Sequence, residues 1–237
     1  MTLSADLAET VAQLLPDRKY LGMNNDINPP ADPWVLFAQW YALAIQQESV
    51  YPDAMMLATV GSDGMPSLRT VLMKSFDTRG VVFHTNRESR KGRELAAHDK
   101  ASICFYWKSF QRQVRIEGVV RLLDDVESDA YFATRPRGSQ IGAWASQQSR
   151  PLASRDLFEE RIAEAEKKYE GSDVPRPPYW GGYLLAPTYF EFWQERLYRL
   201  HDRVTYSKVG DGEVWSDDRI TYQQKPGTPW ATQRLFP

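Results

Sequence analysis

Ser67-Leu-Arg-Thr-Val-Leu-Met-Lys74, then Asp77-Thr-Arg-Gly80, then Val81-Val-Phe-His-Thr-Asn-Arg-Glu-Ser-Arg-Lys91: the reading of this chain turns on these residues. Two apolar, β-branched runs flank a turn that ends in glycine, the pattern of a β-hairpin. Arg69 and Lys74 bracket the first run, and Arg90 and Lys91 follow the second. Ser89 stands just before them at the N-cap of a helix predicted over residues 90–98. A helix start offers free N–H groups and the positive end of a dipole. Two strands that deliver cations beside such a start make a pocket for a phosphate. The competing reading is an ordinary hairpin with solvated basic residues.

Outward from this stretch the chain reads as strands with short connections. Upstream, Asp32-Pro33 opens a helix, an acidic N-cap followed by proline at the first helical position. Leu36, Phe37, Trp40, Leu43 and Ala44 recur at helical spacing and predict its buried stripe, and it ends near Ser49. An apolar run at 54–60 then meets a turn at Gly61-Ser-Asp-Gly64. Downstream, strands are predicted at 101–107 and 111–122. In the second, Val114, Ile116, Val120 and Leu122 face one way and Arg115, Glu117 and Arg121 the other. Gly118 falls on the apolar side and marks a bulge or a close approach. A helix runs from Asp124 to about Thr134, where Pro136 ends it before a loop rich in arginine, glycine and serine. A second helix over 151–170 turns Phe158, Ile162, Ala165 and Tyr169 inward and stops at Gly171. Strands follow at 182–186, 189–194 and 203–208, and Asp211-Gly212 makes a hairpin turn into 213–220.

Strands that do not alternate with helices argue for an antiparallel sheet closed as a barrel, in an α+β chain with peripheral helices. Residues 1–31 read as a partly mobile arm with a short helix at 5–15 and a segment, 17–20, that could close over a site. Residues 32–220 read as the main domain. The polar segment 221–237 belongs to that domain or to a subunit interface.

The chain has 237 residues, 42% of them apolar, and a formal net charge of −2. That is enough apolar material for one large core, and the near-neutral balance argues against a general nucleic-acid binder. A single cysteine, Cys104, excludes a disulfide framework and a cysteine-rich zinc site. It lies in an apolar run and reads as an inert buried thiol. The three histidines, His84, His98 and His201, show no metal-ligand spacing,, so no metal is expected. The N-terminus has no sustained apolar core, and no stretch is long and apolar enough to span a bilayer. A cytoplasmic protein without membrane contact is the expectation. Eight tryptophans and twelve tyrosines can fill a core or line a site for flat rings.

Neither a Walker A sequence nor a G-x-G-x-x-G is present. What remains is a scattered set of cations and stacking residues: Arg69, Lys74, Arg90 and Lys91; Tyr131, Arg135 and Ser139; and Trp193 with Arg199-Leu-His-Asp-Arg203. A spacing of four puts Tyr131 and Arg135 on one helix face, with Ser139 on the loop beyond. Arginine and lysine hold phosphates, and serine and tyrosine hydroxyls complete the shell. For any one of them, a plain surface charge is the competing reading.

Six runs in this order carry a resemblance: Arg69-Thr-Val-Leu-Met-Lys74, Asn86-Arg-Glu-Ser-Arg-Lys91, Arg112-Gln-Val, Arg135-Pro-Arg-Gly-Ser-Gln-Ile-Gly-Ala-Trp144, Glu191-Phe-Trp-Gln194 and Arg199-Leu-His-Asp-Arg203. Together they resemble the pyridoxine/pyridoxamine 5′-phosphate oxidases from about Pro30 to Lys208, with a last echo in Arg234-Leu-Phe-Pro237. The resemblance implies a split β-barrel, a homodimer, and one FMN at each of two sites between subunits. It implies oxidation of pyridoxamine or pyridoxine 5′-phosphate to pyridoxal 5′-phosphate, with dioxygen reduced to hydrogen peroxide. Carried over by motif, the FMN residues are Arg69, Thr70, Val71, Leu72, Met73, Lys74, His84, Thr85, Arg90, Lys91, Gln113, Gln148, Ser149, Trp193 and Arg203. The substrate residues are Lys74, Tyr131, Arg135 and Ser139, with Arg199 and His201 over the pyridine ring as the catalytic pair. If their segment is extended, Arg199 and His201 share a face.

The chain departs from the family pattern at several positions. His84 stands where tyrosine is usual, Glu195 follows Gln194 where glycine is usual, Gly138 replaces a commonly polar residue, and the C-terminal segment is longer. Two other readings stay open. One is a related flavin oxidase acting on another flat ring, such as a phenazine precursor. The other is a non-catalytic flavin or pyridoxal-phosphate binding protein.

Overall fold

The structure, a computed structural model, describes residues 26–209, 223–224 and 229–237. The helix at 5–15, the 17–20 segment and the hairpin into 213–220 lie outside the described residues. Helix α1 (Pro33–Gln47) begins as its sequence predicts, with the Asp32 carboxylate accepting from the Trp34 amide at 2.9 Å. Its whole predicted stripe is buried. After it come β1 (Ala54–Val60), β2 (Pro66–Leu72), β3 (Ser75–Asp77), β4 (Gly80–Asn86), α2 (Arg90–Ala97), β5 (Lys100–Trp107) and β6 (Arg112–Leu122). Then α3 (Asp125–Ala133), α4 (Arg137–Ala145), α5 (Arg155–Lys168), β7 (Trp180–Gln194), β8 (Asp202–Lys208), β9 (Gln223–Gln224) and β10 (Trp230–Arg234) complete the order.

The described strands form one antiparallel sheet along the path β2-β1-β5-β6-β7-β8-β10-β9, with β4 on β7 and β3 on β4. Strand β7 organises it. One edge of β7 pairs with β6; the other is divided, β4 taking Trp180–Leu185 and β8 taking Tyr189–Gln194. The change of partner falls at Pro187-Thr188, because a proline without an N–H fits a central strand only at an irregularity. Opposite it the β6 register shifts between Glu117 and Gly118, and the Thr188 hydroxyl donates to the Glu117 carbonyl at 3.2 Å. A Cβ on Gly118 would lie 2.1 Å from the Ala186 carbonyl oxygen, so the close approach requires glycine. Two sub-sheets diverge from one strand, which makes the barrel a split one.

The main core lies between α1 and the sheet. Phe37, Phe83, Phe105, Phe190, Phe192 and Tyr206 are fully buried there, each contributing about 1.5–3 kcal/mol on burial. Trp34 packs edge-on against Phe37 and Phe190. A second cluster, Phe132, Ile141, Ala165, Tyr169, Val174 and Trp180, sits under α3 to α5. Ile27 is buried, and the Tyr206 hydroxyl donates to the Pro30 carbonyl at 3.0 Å.

Several local expectations are corrected. The runs around Arg69 and His84 are not hairpin partners: β2 pairs with β1, and β4 turns back onto the short β3 through Asp77–Gly80. Lys74 leaves the first run before the turn, so the chain spends three residues on a separate strand. Segments 182–186 and 189–194 are one strand, because the bulge absorbs Pro187 without ending it. Residues 137–145 are helix α4 rather than a loop, since Pro136 ends one helix and starts the next. Helix α5 begins only after Ser154, whose hydroxyl caps the Leu157 amide at 3.1 Å. Leu122 is exposed, at the end of β6 beyond the core. The tail contains β10, paired with β8, with Trp230 buried.

Candidate functional site

A cleft of about 410 Å³ opens where β4, α3, α4 and the start of β7 meet. Lys74, His84, Thr85, Tyr131, Arg135, Ser139 and Gln148 line it, together with Asn86, Ser146 and Trp180. A wider, open groove of about 1060 Å³ near Arg137 and Lys167 holds none of the predicted residues. Local structure aims each group. The Asp124 carboxylate caps α3 by accepting from the Glu127 amide at 2.7 Å. The helix stops at Ala133, and the turn that follows delivers Arg135, which is therefore not on the Tyr131 helix face. Ser139 sits in the first turn of α4, and Gln140 fastens that helix to the Phe132 carbonyl at 2.9 Å. Gly182, opposite His84 in β7, leaves room for the imidazole: a Cβ there would lie 2.9 Å from His84 Nε2.

The His84 ring lies nearly parallel to Tyr131, 4.0 Å away, and to Trp180, 5.1 Å away, and those two rings are 6.2 Å from each other. The Arg135 guanidinium lies 4.7 Å from the Trp180 ring centre. Arg135 Nη1 and both His84 ring nitrogens are buried without a hydrogen-bond partner. Burial, followed by the charges of Arg135 and Lys74, pushes the His84 imidazole down to about 4, so it is neutral near pH 7. Lys74 Nζ is 3.6 Å from Asp53. A cleft with stacked rings, two cations and unspent donors is suited to an anion attached to a flat ring.

Beside the cleft lies a second polar cluster. Ser89 caps α2, accepting from the Gly92 amide at 3.3 Å. The buried Lys91 ammonium donates to the Thr85 hydroxyl at 3.1 Å, and that hydroxyl donates to Gln148 Oε1 at 3.2 Å. Burial and the nearby Arg69 lower the Lys91 ammonium from its usual range. Arg69 and Arg90 converge on Glu94, at 3.0 and 2.8 Å. Burial pushes the Glu94 carboxyl up. Hydrogen bonds from Ser67, Thr59, Arg90 and Arg69 outweigh it and hold the group down at about 2.

The remaining predicted residues lie elsewhere. Gln113, Trp193 and Arg203 are direct cross-strand partners on β6, β7 and β8, and form a row on the face away from the core. Arg203 Nε donates to Glu191 at 2.9 Å. The His201 ring is 4.6 Å from Trp193, and its Nδ1 accepts from the Arg196 amide at 3.2 Å. Arg199 is not on an extended segment. It closes a 3₁₀ turn, Leu197–Arg199, in which Tyr198 and Arg199 have φ of 57° and 63°. This row and turn lie at the far end of β7 from Trp180, on the order of 40 Å along the strand. One chain therefore does not bring Arg199 and His201 to the cleft. On β2 and its exit, Thr70 is exposed, Val71 packs on the core and Leu72 is half-buried. The Met73 side chain is fully inside the core. Ser149, with φ 67°, is exposed beyond Gln148.

The sequence reading missed three groups. Glu94 lies four residues after Arg90, a helix pair that spacing alone could have identified. Trp180 and Asp53 carried no such signal, since only the pairing of β7 with β4 and the meeting of Lys74 with Asp53 bring them in. Among the described residues no metal-binding cluster occurs, and no helix is long and apolar enough to cross a membrane.

The split barrel is the architecture of a set of known proteins. Residues 44–169 match the family model described as pyridoxamine 5′-phosphate oxidase. Residues 180–237 match that for the pyridoxine 5′-phosphate oxidase C-terminal dimerisation region. The pyridoxine/pyridoxamine 5′-phosphate oxidase of Brucella abortus (strain 2308) is 50% identical over 202 residues, 85% of this chain and 97% of the relative. That of Brucella canis is 50% identical over 197 residues, 83% and 97% of the two chains. Among solved structures, PhzG from Burkholderia lata 383 with tetrahydrophenazine-1-carboxylic acid has a TM-score of 0.76 at 34% identity. The likeness covers 89% of this chain and 95% of PhzG. A pyridoxamine 5′-phosphate oxidase-related, FMN binding protein from Nostoc punctiforme shares the fold, with TM-score 0.64, 19% identity and coverage of 88% and 100%. The chain belongs to the pyridoxine/pyridoxamine 5′-phosphate oxidase family, and is an oxidoreductase.

Proposed function

We propose that the protein is an FMN-dependent oxidase that converts pyridoxamine or pyridoxine 5′-phosphate to pyridoxal 5′-phosphate. The observation that carries the reading is the cleft between His84 and Arg135, where buried donors without partners stand among stacked rings. Lys74, Tyr131, Arg135 and Ser139 hold the substrate phosphate. The cofactor fits on a separate observation: the buried Lys91 ammonium has a hydroxyl, Thr85, as its hydrogen-bond partner and, among the described residues, no carboxylate in ion-pair contact. An anionic phosphate would supply the missing charge. Arg69, Arg90, Gln148 and Ser149 border that position, with Thr70, Val71, Leu72 and Met73 presenting backbone along β2. When bound, the flavin would supply the redox chemistry, accepting a hydride equivalent from the substrate C4′ carbon and returning two electrons to dioxygen to give hydrogen peroxide, while with the amine substrate water would release the nitrogen as ammonia.

The protein's part is to bind, orient and exclude water. Gln113, Trp193 and Arg203 form a flat ledge with a cation at its edge. Arg199 and His201 border it, the arginine to orient the pyridine ring and the histidine to hold or move a proton at Nε2. Because this ledge and the cleft stand at opposite ends of β7, a complete site needs a second copy of the chain. That requirement, and the match of residues 180–237 to a dimerisation region, support a homodimer with shared sites. The likeness to PhzG supports a second reading, oxidation of a phenazine precursor. The cations of the cleft favour a phosphorylated substrate instead. The test is the visible spectrum of the purified protein before and after anaerobic pyridoxamine 5′-phosphate. The flavin band should bleach, and chromatography of the heat-released cofactor should give FMN. An unbleached band, or a band that bleaches only with a dihydrophenazine, would overturn the reading.

A further inference from the structure

We propose that His84 is the proton-linked ligand of the cleft: it takes up one proton from solvent when a phosphate docks beside Lys74, Arg135 and Ser139. The inference rests on the phosphorylated-substrate reading and adds the pH response of that site.

A neutral imidazole has one N–H to donate and one lone pair to receive. At His84 both nitrogens are buried and neither has a partner. Leaving a buried polar atom unpaired costs about 1–3 kcal/mol, a cost that a ligand docked in the cleft would recover. Tyr131 stacks on the ring at 4.0 Å and Trp180 lies parallel to it at 5.1 Å, while the ring itself lines the cleft with Lys74, Arg135 and Ser139.

The charges around the ring set the direction of the effect. Lys74, at the exit of β2, and Arg135, in the turn after α3, are the cations that bear on it. Helix α3 adds the Tyr131 phenol, whose pKa is itself raised by burial, and α4 adds the Ser139 hydroxyl. Strand β7 contributes Trp180 and Gly182, neither of them ionisable. Asp53, the carboxylate of this corner, is paired with Lys74 at 3.6 Å. Burial and two cations hold the imidazole neutral in the protein alone. A docked dianion changes the sign of the local field, and an opposite charge within about 4–6 Å favours the protonated ring. Imidazolium then donates from both nitrogens. Affinity for the anion rises as pH falls from the titration midpoint of the complex toward that of the protein alone, at about 4.

Sulfate isolates the effect, because it carries no proton of its own near neutral pH, whereas a phosphate ester titrates at about pH 6. The chain has three histidines, so imidazole NMR of the ¹⁵N-labelled, FMN-loaded protein resolves each of them. His84 is assigned by its loss in His84→Phe, or in His84→Gln should the first variant fail to fold. Spectra are recorded from about pH 4 to about pH 8, with and without saturating sulfate, and again with pyridoxal 5′-phosphate. The His84 midpoint should move up by about one unit or more on saturation. Sulfate should bind about twofold or more tighter at pH 5 than at pH 7, a slope absent from the variants. If both anions bind in an Arg135-dependent manner while the His84 midpoint stays fixed, this inference fails and the phosphate reading stands. If neither anion shows Arg135-dependent binding at any pH, both fail together.

Discussion

Replacing Arg135 with alanine separates affinity from stability, because the structure gives the side chain little to do for the fold. No described carboxylate pairs with it, so its removal strands no counter-charge. What the fold loses is its cation–π contact with Trp180 at 4.7 Å and with Phe132 at 5.5 Å, worth about 0.5–1 kcal/mol. The ligand loses more. Arg135 Nη1 is a buried donor without a partner, and a charge-assisted bond from such a group contributes about 1.5–3 kcal/mol. Affinity for pyridoxal 5′-phosphate should therefore fall by roughly 10- to 150-fold, and the Michaelis constant for pyridoxamine 5′-phosphate should rise in step. Flavin content should hold, since the Lys91–Thr85–Gln148 chain makes no hydrogen bond to the Arg135 side chain. Pyridoxal, which lacks the phosphate, is the control: it should bind the parent and Arg135→Ala alike. The His84 midpoint should also rise above about 4, because one of the charges that depresses it is gone. Equilibrium titration followed by fluorescence quenching reads the first effect. Equal losses for pyridoxal and its phosphate, or no loss for either, would refute the assignment.

Glu94→Gln should destabilise the fold by up to about 3 kcal/mol, since the Glu94 carboxyl falls from its usual 4.5 to about 2 on folding. That contribution is complete above about pH 4.5 and is lost as pH falls toward about 2, so urea midpoints across this range should slope in the parent and flatten in the variant. Gly118→Val should cost at least about 3 kcal/mol or prevent folding, because a Cβ would meet the Ala186 carbonyl oxygen at 2.1 Å; an unchanged melting temperature would contradict the close approach. Arg199→Ala and His201→Ala should keep FMN bound yet slow anaerobic flavin reduction in stopped-flow traces, the arginine change costing more because it also positions the ring. Mixed dimers of Arg199→Ala and Arg135→Ala chains should recover about half of the parental activity per dimer, since one of two shared sites then carries neither change. Mixtures no better than the average of the two variants would argue for sites within single chains.

Much of the architecture was legible because local rules and the tertiary structure agree. Asp32-Pro33, Ser89 and Asp124 cap the helices that their side chains predict, and the alternation through Val114 and Ile116 faces the core. Gly118 declared a close approach without naming its partner. What was not legible depends on pairing. Turn chemistry at Asp77–Gly80 identifies a hairpin but not which of two upstream runs forms its other arm, and β3 is too short to show alternation. Pro187 reads as a strand end unless the bulge opposite Glu117 is known. The site divides in the same way. The cations of the cleft stand out by residue type, and their convergence follows from motifs. That Met73 spends its side chain in the core, or that Glu94 ties Arg69 to Arg90, is settled by packing. The separation of Arg199 from the cleft could not be read at all, because it is a property of one unbroken strand.

That strand works as a ruler. Between Trp180 and Trp193 the spacing of the two halves of the site is counted out in residues, and each residue also decides which face its neighbours present. One residue added or removed on either side of Pro187-Thr188 would carry Trp193 toward the core and Phe192 out to solvent, and shift the ledge by about 3.3 Å. Two mating chains would then no longer meet in register at both sites at once. Length variation among proteins of this build should accordingly gather in the segments that leave β7 at its two ends, and spare the strand itself. The bulge is the one place where a residue has already been accommodated.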